Sequence, residues 1–120
     1  MEWENAIKYF KKSLAFEKAK YKIHTNIGVS YFKLGKINQS IDAFKNSIKE
    51  NPNFGLAYNN LGISYLELGM IDKAVDQFIS ALKLNDSDDF AKNKLINTFN
   101  LTRPKASDKH HLIKINNKIN

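Results

Sequence analysis

The sequence predicts an all-α fold, an α-solenoid of antiparallel helix pairs with about two full repeats flanked by half repeats. Three observations carry this expectation. The chain matches itself when shifted by 34 residues, its apolar residues recur at steps of three and four, and Gly or Asn punctuates the same point of each copy. Self-similarity at a fixed period of about 20–50 residues marks stacked units that cannot bury their apolar faces alone.

The shift sets residues 21–54 on 55–88. Eleven of 34 positions are then identical, among them Asn26/Asn60, Gly28/Gly62, Ser30/Ser64, Tyr31/Tyr65, Gly35/Gly69, Phe44/Phe78 and Asn51/Asn85. Composition alone gives about two. Four more pairs exchange one aliphatic for another: Ile27/Leu61, Val29/Ile63, Ile41/Val75 and Ile48/Leu82.

Each copy reads as two helices. Ala57, Tyr58, Leu61, Tyr65 and Leu68 share one helical face, and Ile71, Ala74, Val75, Phe78, Ala81 and Leu82 share the next. Gly69 closes the first of these helices, because glycine accepts the left-handed conformation a helix end wants. Leu34-Gly35 is the same inner turn one copy earlier, and Asn51-Pro52-Asn53 is the outer turn. Small residues predict close pairing, with Gly28 facing Ser40 and Gly62 facing Ala74. Tyr31, Phe44, Tyr65 and Phe78 then fill the space between helices.

The string Tyr58-Asn59-Asn60-Leu61-Gly62, followed by Tyr65, Gly69, Ala74, Phe78 and Ala81, resembles the tetratricopeptide repeat. Ile27-Gly28, Tyr31, Gly35, Phe44 and Pro52 carry the same resemblance in the first copy. Ser40 and Ser47 replace the family's usual alanines, and Asp86 stands where proline is common. The likeness runs outward over residues 1–104. Residues 1–20 look like the second helix of a partial repeat, spanning about 3–17, and 89–104 like the first helix of a final one. In that last helix Ile96 replaces the close-packing glycine. Residues 105–120 read either as a basic tail or as a short capping helix carrying Leu112, Ile115 and Ile119.

The resemblance implies a superhelix whose first helices line a concave, peptide-binding face. It places Asn26, Val29, Phe32 and Lys33 there from one repeat, Asn59, Asn60, Ile63 and Leu66 from the next, and Phe90, Asn93, Lys94 and Asn97 from the last helix. Lys22, Thr25, Leu56, Glu67 and Asn100 flank them. An asparagine offers one acceptor and two donors, so amides one repeat apart suit the backbone of an extended peptide. Val29, Phe32, Ile63, Leu66 and Phe90 form an apolar strip, and such strips mark interaction sites. One subclass of the family clamps the carboxylate terminus of heat-shock chaperones with Lys, Asn and Arg. This chain has Asn60 but Lys94 in place of the arginine. Thr25, Val29 and Phe90 stand where other clamp residues belong, so that ligand is not expected.

Other functions find less support. With no cysteine, thiolate chemistry and disulfides are excluded. No Gly-rich phosphate loop is present. His24 reads as a structural residue on a packed face, and the adjacent His110 and His111 cannot share one helical side. No catalytic residue, metal site or cofactor is therefore expected. The formal charge of +7 is uneven: +5 over residues 1–36, −3 over 37–88 and +5 over 89–120. Lys8, Lys11, Lys12 and Lys18 share much of one face, which raises nucleic-acid binding as an alternative, though a solvated lysine face is the commoner meaning. Self-association through the opening helix or the tail is another, as is service as an accessory part of a larger enzyme. The opening Met1-Glu2-Trp3-Glu4 resembles no signal peptide, and no membrane span is expected. The expectation is a cytoplasmic adaptor for a protein or peptide partner.

Overall fold

The computed structural model describes residues 2–16 and 18–102. Those residues form six helices and no strand: α1 Glu2–Ser13, α2 Lys20–Lys33, α3 Ile37–Glu50, α4 Gly55–Glu67, α5 Ile71–Leu84 and α6 Asp89–Thr102. The expectation for 105–120 lies outside the described residues. The opening helix ends at Ser13 and gives way to a turn over 14–16, short of the predicted 17.

Helix ends follow from backbone chemistry. A helix leaves its last carbonyls unpaired, and a residue of positive φ lets the chain turn back to satisfy them. Gly35 (φ 75°) and Gly69 (φ 73°) hold that position. Gly35 N–H donates to Phe32 C=O and Lys36 N–H to Tyr31 C=O, both at 2.9 Å. Gly69 and Met70 repeat both bonds, at the same length, on Leu66 and Tyr65. The outer turns match as well. Asn51 Oδ1 accepts from Asn53 N–H and Asn85 Oδ1 from Ser87 N–H, each at 3.1 Å. The Pro52/Asp86 difference between the copies leaves this turn unchanged.

Each helix packs on the next in sequence, and α2 also touches α4 directly. First helices thus lie along one side, second helices along the other. The stack measures 49 × 27 × 19 Å with a radius of gyration of 15.3 Å. A round chain of this length has about 13–14 Å, so the array is elongated.

The core runs continuously from Ile41 and Phe44 through Leu61, Tyr65, Val75, Phe78 and Leu82 to Ala91 and Leu95. A second cluster of Ile23, Ile27 and Ala43 receives Phe10 and Leu14. One expectation is corrected here. Gly28 makes room for the ring of Phe44, and Gly62 for Phe78, where a Cβ would lie 2.7 Å from the ring. Ser40 and Ala74 do not set that requirement. Ser40 instead reaches forward, its Oγ 3.0 Å from Ser64 Oγ in the next pair.

Candidate functional site

Side chains at i, i+3, i+4 and i+7 of a helix share a face. On α2 this alignment carries Val29, Phe32 and Lys33, and on α4 Asn60 and Ile63. The α2–α4 contact brings these five together around one cavity of about 220 Å³. Phe44 of α3 forms part of its lining. The sequence reading assigned Phe44 to packing alone, although the glycine opposite it was the available signal. Val29, Phe32, Asn60 and Ile63 are half-buried, while Lys33 is exposed at the mouth. Val29, Ile63 and Leu66 also pack on the core, which fixes their positions.

The remaining predicted residues spread along the same layer. Asn26 is exposed one turn below Ser30, whose Oγ donates to Asn26 C=O at 2.9 Å. On α6, Asn93 and Asn97 are exposed and Phe90 is 45% exposed. Lys94 lies half-buried, its Nζ 5.5 Å from the centre of the Phe90 ring. That cation–π contact holds the ammonium against the face.

Asn59 departs from its expected role. It is only 5% exposed, and its Nδ2 donates to Asp88 Oδ2 at 2.9 Å. Asp88 Oδ1 accepts from Ala91 N–H at 3.0 Å and so caps α6. The Asn59 amide is thus spent on seating α6, and its Oδ1 is buried without a partner among the described residues. Thr25, the equivalent residue of the first repeat, is 3% exposed and bonded to Ser47 Oγ at 2.8 Å. Neither side chain is available to a ligand.

A second hollow of about 270 Å³ opens on the opposite side, between α1, α2 and α3, with Lys11, His24, Tyr31 and Asp42 in its lining. Lys11 Nζ donates to Tyr31 Oη at 3.1 Å. His24 is half-buried, and its pKa lies below 6.5. Burial is the main cause. Lys20 adds to the lowering, and Glu50 opposes it. Lys8, Lys12 and Lys18 are exposed. Among the described residues no three His, Cys, Asp or Glu side chains gather as a metal site, and no helix is long and apolar enough to cross a membrane.

Fold and face together define a helical-repeat array with a cavity of about 220 Å³ between two of its first helices. Residues 21–54 and 55–88 each match the tetratricopeptide repeat model, and the chain belongs to that family. Comparison with curated proteins gives no match. Among solved structures, the first tetratricopeptide domain of Spaghetti (RPAP3), bound to the HSP90 peptide SRMEEVD, superposes with a TM-score of 0.75. It is 21% identical over 81% of this chain and 77% of that one. MamA gives a TM-score of 0.79 at 20% identity, over 98% of this chain and 66% of MamA. YrrB, a tetratricopeptide protein with an unusual peptide-binding site, gives 0.70 at 15% identity, over 77% of this chain and about half (47%) of YrrB.

Proposed function

We propose that this chain is a protein-interaction module that holds an extended segment of a partner polypeptide against α2, α4 and α6. The observation that carries the reading is the convergence of Val29, Phe32, Lys33, Asn60 and Ile63 on one cavity. Small-molecule sites usually enclose about 300–1,000 Å³. A cavity of about 220 Å³ suits one side chain of a peptide better than a cofactor. Asn60 at its edge can pair with peptide backbone, which has donors and acceptors in every residue. The related Spaghetti domain binds an HSP90 peptide and YrrB has a peptide-binding site, which supports the same class of ligand here. The reading is of a binding module and assigns the chain no catalytic role.

The test is capture of partners from the source lysate by the native chain, by Ile63→Asp and by Asn26→Ala/Asn60→Ala, with helicity compared by circular dichroism. The expected result is a partner lost from the variants at unchanged helicity. The same partner held by all three chains would move the site off this face.

A second reading, self-association through α1 and the turn that follows it, rests on Tyr9 and Phe16, which are 67% and 87% exposed. Sedimentation that finds only monomer at high concentration removes it.

A further inference from the structure

The 34-residue register compares the face helix by helix. Val29 and Ile63 are followed on α6 by Asn97, Phe32 and Leu66 by Asn100, and Asn26 and Asn60 by Lys94. Asn97 and Asn100 are exposed where the residues they replace are half-buried apolar side chains. The face is therefore graded. An apolar cavity lies between α2 and α4, and an amide-rich, cationic surface lies on α6. Of the charged side chains at the face positions, Lys22, Lys33 and Lys94 outnumber Glu67.

From this grading we infer that the partner segment carries one apolar side chain followed, about three residues away, by acidic residues. The inference rests on the peptide-groove reading above and specifies its ligand. The apolar side chain occupies the Val29–Phe32–Ile63 cavity. Packed helices lie about 10 Å apart, and an extended chain advances about 3.3 Å per residue. In the repeat register α6 follows α4 as α4 follows α2, so one such step from the cavity spans about three residues and carries the next side chains toward Lys94 and Asn97. Lys94 rests on the Phe90 ring, a contact that leaves its ammonium charged. A basic segment would meet like charge at both Lys33 and Lys94, and an acidic one gains at each.

The test uses labelled decapeptides, N-acetylated and C-amidated so that only side chains carry charge. Each has one Leu or Met anchor in a Gly/Ser background. Two Glu, two Lys or two Ser stand three and four residues from the anchor, and controls replace the anchor by Ser. Fluorescence anisotropy against the full chain is expected to rank the anchor-plus-Glu peptide at least ten-fold tighter than the Lys version and than the anchorless control. Lys94→Glu is expected to erase or invert the Glu-over-Lys preference, and Val29→Asp to weaken every anchored peptide. Anchored peptides that bind alike whatever their charge, or a preference unmoved by Lys94→Glu, overturn this inference and leave the groove reading standing. Binding that is indifferent to Val29→Asp, or no binding by any decapeptide, overturns both.

Discussion

Asn59 and Asp88 stand 29 positions apart in sequence and are joined by a 2.9 Å hydrogen bond that ties α4 to the start of α6. The same carboxylate caps α6 through Ala91 N–H. Removing Asp88 therefore breaks two contacts, and it leaves the buried Asn59 amide with none. Asp88→Ala is expected to cost about 2–3 kcal/mol, the sum of a lost cap and an unsatisfied buried donor. Asn59→Ala keeps the cap, and it also removes the orphaned Oδ1 acceptor. Its expected cost is about 1 kcal/mol. Urea unfolding ranks the two, and amide exchange should quicken in α6 for Asp88→Ala before it does in α3. Equal costs for both variants would show that the cap contributes nothing.

The paired glycines give a second prediction. Alanine favours a helix interior over glycine by about 1 kcal/mol, so propensity alone predicts that Gly28→Ala and Gly62→Ala stabilise. The rings of Phe44 and Phe78 oppose this. They are 1% and 0% exposed, and the added Cβ falls inside their contact distance. Overpacking of this kind costs about 1–3 kcal/mol, so both variants should lose stability. Gly62→Ala/Phe78→Leu should then be less unstable than the sum of its two single changes, because the smaller side chain makes room for the methyl. A stability gain in either alanine variant sinks the argument.

Thr25 and Ser47 form the first repeat's version of the Asn59 contact. Their oxygens are 2.8 Å apart, and Ser47 Oγ also donates to Tyr21 C=O at 2.7 Å. The second repeat has Ala81 at the Ser47 position and turns to Asp88 for its partner. Ser47→Ala, although natural one repeat later, is thus expected to leave the Thr25 hydroxyl buried and unpaired, at about 1–3 kcal/mol. Thr25→Val/Ser47→Ala should recover part of that loss, since an apolar pair leaves only the Tyr21 carbonyl in need. Thermal melts of the four-member cycle measure the coupling. A double variant no better than Ser47→Ala would mean that the Tyr21 bond carries the whole effect.

How much of this was legible differs by kind. The repeat register exposed the two turn glycines, the matching Asn51 and Asn85 turns, and the helix faces, because each follows from local backbone chemistry and period. It also brought Val29, Phe32, Lys33, Asn60 and Ile63 to one face, since residues on one helical side stay together however neighbouring helices tilt. Thr25 and Asn59 were misjudged because they lie at the edge of that face. Whether an edge residue points to solvent or to a neighbour is decided by the adjoining helix, and a 34-residue period carries no information on that angle. The partner of Gly28 was misassigned for a related reason. The need for a small residue was plain, but the ring that imposes it belongs to another helix and reaches across from Phe44.

His24 yields a prediction whose sign is set by burial. The ring stands half-buried, and charge from Glu50 and Lys20 acts on it. Desolvation disfavours the imidazolium, and it outweighs the attraction of Glu50, so the folded pKa falls below 6.5. Between that value and 6.5 the unfolded chain binds more protons than the folded one, and stability rises with pH across the window. The contribution is complete above pH 6.5 and is lost as the pH falls through the folded pKa. His24→Gln removes the titration and keeps a polar side chain of similar reach. The gap between the melting temperatures of the native chain and the variant should therefore be widest in the native chain's favour above neutrality and should narrow toward pH 5. A constant gap would mean that burial does not act on the imidazolium. A gap that widened on acidification would mean that Glu50 governs this site and that the ring is held as a cation.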